Sequence, residues 1–426
     1  MTPDKRSFLQ IDNCAKCGAC VPACPLYRQT GREFLAARGK LHLLQKIDPR
    51  RASRSYASLL SQCLLCGACS SQCPRGLDTP SIISRARQEI PPEVRTQAAA
   101  ADLLHAGMKN NFLASFLGIS LRSLDRTLLH LLPANSGLRL KLSLPSSPMA
   151  AVKLKKRYRG EHRNIPLADE DDGRVISLFN GCYARYLQPR ISRAAEHILA
   201  THLGLKILSP DDQACCGLSF VSAGKYLDAI SLARRNLIAF EATAGPIVTP
   251  CASCYSHLRS YPSLFSEERD WQERAESFAA RLVEFSSFLV SRGLQQTLAK
   301  KKLSARLYYH DSCHLRFHQK ITRPPRLLLN SIQLLETVEP DAGYQCCGAG
   351  GLFQLSHSNL AAGLRQRLID SIISIGVDKV LTTCSGCLLH LHQGILQLQK
   401  PTPVQHLAVY LADLLSGPDE PADKDQ

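Results

Sequence analysis

Ten of the chain's eighteen cysteines form two sets of five with matching spacing, and this duplication limits what the sequence can fold into. The first set is Cys182, Cys215-Cys216-Gly217 and Cys251-x-x-Cys254; the second is Cys313, Cys346-Cys347-Gly348 and Cys384-x-x-Cys387. The lone cysteine precedes its pair by 33 positions in both sets, and the C-x-x-C follows the pair by 35 or 37. Spacing shared at five points marks an internal repeat, so each set belongs to one copy of a duplicated domain. Five thiols exceed the four ligands of a tetrahedral zinc ion and are an odd number for disulfides. A zinc site in each half, or a redox-active C-x-x-C pair, is the competing reading.

The other eight cysteines lie near the N-terminus in two runs, Cys14-x-x-Cys17-x-x-Cys20-x-x-x-Cys24-Pro25 and Cys63-x-x-Cys66-x-x-Cys69-x-x-x-Cys73-Pro74. This spacing holds cubane [4Fe–4S] clusters, with the fourth cysteine of each run ligating the other cluster. Cys14, Cys17, Cys20 and Cys73 then hold one cubane, and Cys63, Cys66, Cys69 and Cys24 the other. Gly18 and Gly67 supply the tight turn that lets backbone amides approach the cluster. Zinc sites rarely take four cysteines from so short a run.

A chain of 426 residues implies several domains, and its 45% hydrophobic content can bury substantial cores. The first fourteen residues contain no apolar signal segment. The uncharged run 55–74 is rich in Ser, Gln and Cys, and the apolar run 110–121 is too short to span a bilayer. A cytoplasmic protein is expected, its thiols serving clusters rather than disulfides. The net charge of +16 resides entirely in residues 1–165, the remainder being balanced. That basic part suits an acidic partner subunit, the inner face of the membrane, or simply solvation. No aromatic-basic interleaving or helix-turn-helix pattern points to nucleic acid.

Residues 1–100 read as a helical ferredoxin-like domain, with one helix opening at Arg38-Gly39-Lys40 and another over 81–90. A helical connector and basic linker (101–165) follows. Running into it is a stretch, 98–132, whose apolar face (Phe112, Phe116, Leu117, Leu121, Leu124, Leu128, Leu131) packs on its own domain or on a lipid or partner surface. The two duplicated domains are expected at 166–300 and 301–415, with a polar tail at 416–426. In each, three strands alternate with helices and lead to the cysteines, at 174–179, 205–208 and 246–249 and then at 306–309, 334–338 and 379–382. That alternation predicts a parallel α/β sheet, with sites beyond the carboxyl ends of its strands. The fold class is therefore α+β multidomain. Gly348-Ala349-Gly350-Gly351 reads as a turn beside the site, and no G-x-G-x-x-G opens a βα unit, so no dinucleotide site is expected. His257, His310 and His314, with Asp311, are proton-relay or outer hydrogen-bonding candidates.

This layout resembles the iron–sulfur subunit of glycolate oxidase and its lactate-oxidising relatives over roughly residues 10–415. Beyond the cysteines the resemblance rests on Cys24-Pro25-Leu26-Tyr27 with Gly31, Arg38-Gly39, the Cys63-to-Pro74 run and Thr402-Pro403-Val404-Gln405-His406. It also resembles the catalytic subunit of membrane-linked heterodisulfide reductase and the iron–sulfur subunit of anaerobic glycerol-3-phosphate dehydrogenase. The resemblance implies a noncubane [4Fe–4S] cluster on Cys182, Cys215, Cys216, Cys251 and Cys254, and another on Cys313, Cys346, Cys347, Cys384 and Cys387. Some glycolate-oxidase subunits have lost part of the C-x-x-C pairs; both are complete here. The implied function is electron transfer from a separate flavoprotein that oxidises glycolate or lactate to a quinone, cytochrome or other carrier. The chain itself would not be active alone. The alternative is a heterodisulfide-reductase-like catalytic subunit, and a cluster-bearing structural or sensing module is a weaker third.

Overall fold

The computed structural model describes residues 11–95, 99–109, 120, 173–398 and 402–417. The duplication seen in the cysteines recurs in the backbone. The first half carries β1 (Val175–Leu178), β2 (Lys206–Leu208), β3 (Ile247–Thr249) and β4 (Leu282–Glu284), in spatial order β2-β1-β3-β4. The second carries β5 (Lys302–Tyr309), β6 (Gln333–Thr337), β7 (Lys379–Thr382) and β8 (Val404–His406), in the order β6-β5-β7-β8. Every pair is parallel, with Ser177 opposite Ile247 in one sheet and Leu307 opposite Lys379 in the other. Parallel neighbours need crossovers, and the intervening helices supply them while covering the sheets.

Both sheets contribute to one continuous core, from Ile176, Phe179 and Phe240 to Tyr309, Leu381 and Leu391. Each half has a fourth strand beyond the three that the sequence pattern predicts. These two strands, β4 and β8, are three residues long and run straight into helices, so no turn residues separate them from the helical pattern.

The N-terminal region is helical, as expected. It contains α1 (Ala37–Lys46), α2 (Arg54–Ser61), α3 (Thr79–Glu89) and α4 (Ala99–Lys109). Ser53 caps α2 by accepting from the Tyr56 amide, and Asp78 caps α3 by accepting from the Ser81 amide, with Pro80 in the first turn. The inward faces of α1–α3 build a separate small core of Leu41, Leu44, Tyr56, Leu60, Ile82 and Ile83. A third cluster, Leu26, Leu64 and Cys66 with Cys346, Phe353 and Leu364, seals this region against the second half. Arg87 ties it to the first half as well. Its buried guanidinium donates to the carbonyls of Leu60, Ser61, Cys63 and, at 2.7 Å, Ser222. Those bonds offset the cost of burying the charge.

The amphipathic stretch beyond residue 109, apart from residue 120, the basic linker and the polar tail from residue 418 lie outside the described residues. Among the described residues no helix is long and apolar enough to cross a membrane.

Candidate metal centres

Tight loops with matching backbones hold the N-terminal thiols. In each run the residue two after the first cysteine and the glycine four after it have positive φ: Lys16 (55°) and Gly18 (86°), Leu65 (52°) and Gly67 (80°). Left-handed conformations at non-glycine residues carry strain and persist where the surroundings over-determine them. At each glycine a side chain would displace a neighbour. A Cβ would lie 2.8 Å from Arg38 Nη1 at Gly18 and 2.8 Å from His318 Nε2 at Gly67.

The two loops exchange their last cysteines. Burial raises the Cys20 thiol pKa, and the neighbouring Cys14 and Cys73 add to the rise. Burial likewise pushes Cys69 up to about 12, with Cys63 and Cys24 acting in the same direction. Cys24, Cys63, Cys66 and Cys69 line one cavity with Lys40. Two cations from the start of α1 face these groups. Arg38 donates to Lys16 O at 3.2 Å beside the first group, and buried Lys40 donates to Leu35 O beside the second. Burial lowers the Lys40 pKa, while Cys63 and Cys24 oppose that fall.

Each duplicated half gathers its five thiols beyond the carboxyl ends of its strands. In the first half Cys182 contacts Cys215, and Cys216 contacts both Cys215 and Cys254. The hydrogen bond from Cys254 holds Cys251 below the usual thiol range, and Ser385 adds to the effect. In the second half Cys347 Sγ lies 3.1 Å from Cys387 Sγ. Cys346 and Cys387 together hold the Cys347 thiol well below its ordinary value. Cys182 and Cys313 are half-buried, and the other eight thiols of the two sets are buried.

The thiol groups form a series. Burial raises the Cys66 thiol, and Cys313 of the second half adds to the rise. Tyr344 sits there, within reach of Cys346, Cys313 and Cys66, packed edge-on against Phe317 at 4.9 Å. The two halves then meet at their C-x-x-C turns, which open α6 (Ala252–Arg259) and α8 (Ser385–Ile395); α5 (Tyr226–Glu241) and α7 (Ser358–Ile375) back the CCG turns. Ser253 Oγ lies 2.9 Å from Cys384 Sγ, and Ser385 Oγ lies 3.4 Å from Cys251 Sγ. The Ala252 amide donates to Thr383 O at 2.9 Å, closing the junction. Each serine thus reaches the first cysteine of the other half's C-x-x-C turn, a contact that spacing alone did not reveal.

The histidines separate by role. Burial pushes His257 down to about 4, and its Nε2 is buried without a partner. His314 Nδ1 is 3.5 Å from Ser253 Oγ and 3.7 Å from Cys313 Sγ. His310 is 1% exposed, and one ring nitrogen lies within 4.8 Å of Cys347 Sγ and Cys387 Sγ. Asp311 is taken up by Arg316 at 2.7 Å and Arg326 at 2.9 Å, so it is a structural anion rather than a relay group.

Soft thiols fit iron–sulfur clusters, in two sets of four that are mostly half-buried and two sets of five that are mostly buried. Comparison with known proteins agrees. A 4Fe-4S dicluster domain model matches residues 10–77, and a cysteine-rich domain model matches residues 176–259 and again 307–392, together more than half the chain. The chain belongs to the family of iron–sulfur proteins that join a 4Fe-4S dicluster domain to two cysteine-rich domains, and within it to the glycolate oxidase iron–sulfur subunit type.

Among similar proteins, the "Probable glycolate oxidase iron-sulfur subunit" of Bacillus subtilis is 28% identical over 425 residues, covering 95% of this chain and 93% of the relative. Lactate utilization protein A of Bacillus pumilus is 30% identical over 236 residues, 55% of this chain and 98% of the relative. A fumarate reductase (CoM/CoB) subunit of Methanothermobacter marburgensis is 26% identical over 399 residues, 92% of this chain and 70% of the relative. A crystal structure of a hypothetical protein from Helicobacter pylori superposes with a TM-score of 0.53 at 12% identity. It covers 98% of this chain and 74% of that one, and shows a shared fold.

Proposed function

We propose that the chain is the electron-transfer subunit of a flavin-dependent 2-hydroxy-acid dehydrogenase, taking electrons from a separate flavoprotein that oxidises glycolate or lactate. The observation that carries this reading is the serial order of the thiol groups. It runs from Cys14, Cys17, Cys20 and Cys73 to Cys24, Cys63, Cys66 and Cys69, then past Tyr344 to the second half, and across Ser253 and Ser385 to the first. Two cubane and two noncubane [4Fe–4S] clusters held there would supply one-electron storage at each stage. The chain's own residues fix the groups, exclude water and set the surrounding charge. Its basic N-terminal part suits an acidic partner or the inner membrane face, beside a quinone or cytochrome acceptor.

A second reading is supported by the facing C-x-x-C turns and by the fumarate reductase (CoM/CoB) relative. On that reading the chain is itself the catalyst and reduces a disulfide or similar acceptor at its paired thiol sites.

Cluster absorbance of the native complex, purified without oxygen, separates the two. Bleaching by glycolate, D-lactate or L-lactate with a flavoprotein present is the expected result. Indifference to every acid, with reoxidation of the reduced clusters by a disulfide, would instead establish the second reading.

A further inference from the structure

The two cysteine-rich halves supply the same five thiols but not the same surroundings. Three residues before the lone cysteine, the first half has Phe179 and the second has His310. Both side chains are buried at the end of the first strand of their half, Phe179 at 0% and His310 at 1% exposure. The His310 backbone is pinned by its amide donating to Leu381 O at 2.8 Å, and its ring stacks on Tyr344 at 6.3 Å. Of the His, Cys, Asp and Glu side chains among the described residues, only His310, Cys347 and Cys387 bring their ligand atoms within 4.8 Å of one another as a group of three. His310 Nδ1 is also buried without a partner. One imidazole nitrogen lies among the thiols, and the hydrogen bond with His310 is one of the contacts that hold the Cys347 thiol low.

We infer that His310 is a hydrogen-bond donor at the second cysteine-rich site, giving an N–H···S hydrogen bond to Cys347 that the first site lacks because Phe179 stands in its place. The inference rests on the cluster reading above. Reduction adds one electron's charge to a cluster and its sulfurs. A donor N–H aimed at sulfur stabilises that added charge, so the second site has the higher reduction potential of the two. No proton is transferred and no covalent bond is made or broken. His310 is a positioning and tuning residue, and the second site is the better electron sink, next to the second N-terminal thiol group.

The test is an EPR-monitored redox titration of the complex, purified without oxygen, after iron and sulfide have been counted. Cys216→Ser and Cys347→Ser assign the two cysteine-rich signals. His310→Phe is expected to shift the second site's midpoint downward and leave both cubane midpoints in place. His310→Gln, which keeps an N–H donor, should restore most of the shift, and Phe179→His should move the first site's midpoint upward. If His310→Phe fails to fold, the latter two variants carry the test. Full iron content with unchanged midpoints would overturn the inference, as would a strong nitrogen coupling marking His310 as a direct ligand. Iron and sulfide sufficient for the two cubanes alone would sink the cluster reading itself, and this inference with it.

Discussion

The two cysteine-rich halves share strand order, crossover pattern and thiol spacing, yet hold their CCG turns by different means. In the first half, Asn236 of α5 does this through polar contacts. Its side chain accepts from the Ala214 amide at 2.7 Å and donates to Cys215 O at 3.1 Å and to the Tyr261 hydroxyl at 2.9 Å. Tyr261 in turn donates to Cys216 O at 2.9 Å. In the second half, α7 presents Leu364 and Leu368 to the turn, and its polar contact is made one residue earlier, where the Gln345 side chain donates to Ser371 Oγ. Ala229 faces Gly217 and Ala361 faces Gly348; seven residues on from each stand Asn236 and Leu368. Duplication therefore preserved the five-thiol frame while the backing of each site diverged. A common ligand frame does not imply a common electrostatic environment.

The largest effect expected from any single change tests whether the halves are independent. Cys216→Ser should abolish the first cysteine-rich signal and spare the second, and Cys347→Ser should do the reverse, with both cubane signals retained in EPR spectra. Simultaneous loss of both signals would show that the Ser253 and Ser385 junction couples loading of the two sites. Spectra unchanged by either variant would refute the ligand assignment.

Next in size comes the glycine that follows each pair. Gly217 (φ 92°) and Gly348 (φ 84°) both sit in the left-handed region, so alanine costs about 1–2 kcal/mol of backbone strain at either. The neighbours differ. A Cβ at Gly217 would meet Ala229 atoms at an ordinary 3.5 Å, whereas one at Gly348 would lie 2.7 Å from Ala361 O and 3.0 Å from Leu364 Cβ. Gly348→Ala should therefore lose about 1–3 kcal/mol more than Gly217→Ala, because packed surroundings must shift. Thermal unfolding of the loaded variants measures the difference, and equal losses would mean that α7 gives way freely.

The backing residues make a finer test. Asn236→Leu strands the Ala214 amide and Cys215 carbonyl and should cost about 1–3 kcal/mol for each group left unpaired. Leu368→Asn buries an amide with no partner at a 0% exposed position, and should cost a similar amount by the opposite route. Were Leu368→Asn tolerated, the second turn would have latent polar partners, and the contrast between the halves would be weaker than the packing implies.

Much of this architecture was legible in the sequence because cysteine spacing fixes topology. The 33-residue interval recurs because each half runs strand, helix, strand before its CCG turn, and the first strands, 175–178 and 302–309, end just short of Cys182 and Cys313. The strands β4 and β8 left no such mark, because Leu282-Val283-Glu284 and Val404-Gln405-His406 are too short to show a period of two. The contacts that order the sites were also illegible. Ser253 and Ser385 occupy different x positions of their C-x-x-C turns, so nothing in either motif marks them as reciprocal. His310 was visible as a residue near the second site. Its distinction from Phe179 acquires meaning only when both are seen at the end of equivalent strands.

The smallest effect concerns the next position along. Asn180 and Asp311 both stand two residues before the lone cysteine, and the halves use them differently. Asn180 is neutral; its side chain donates to Ser209 Oγ at 2.9 Å, and its backbone amide donates to Gln213 Oε1 at 2.9 Å. Asp311, with 4% of its side chain exposed, bridges Arg316 and Arg326, whose side chains are 36% and 23% exposed. Because both arginines reach solvent, losing the carboxylate frees them to hydrate instead of stranding them. Asp311→Asn should therefore cost only about 1–2 kcal/mol, well below the loss from breaking a fully buried pair. The part of that loss arising from charge should shrink as ionic strength rises. Asn180→Asp has no arginine pair to meet it and should cost more than Asp311→Asn at every salt concentration. Unfolding curves at low and high salt rank the two, and the reverse order would show that the first half can accept the second half's charge.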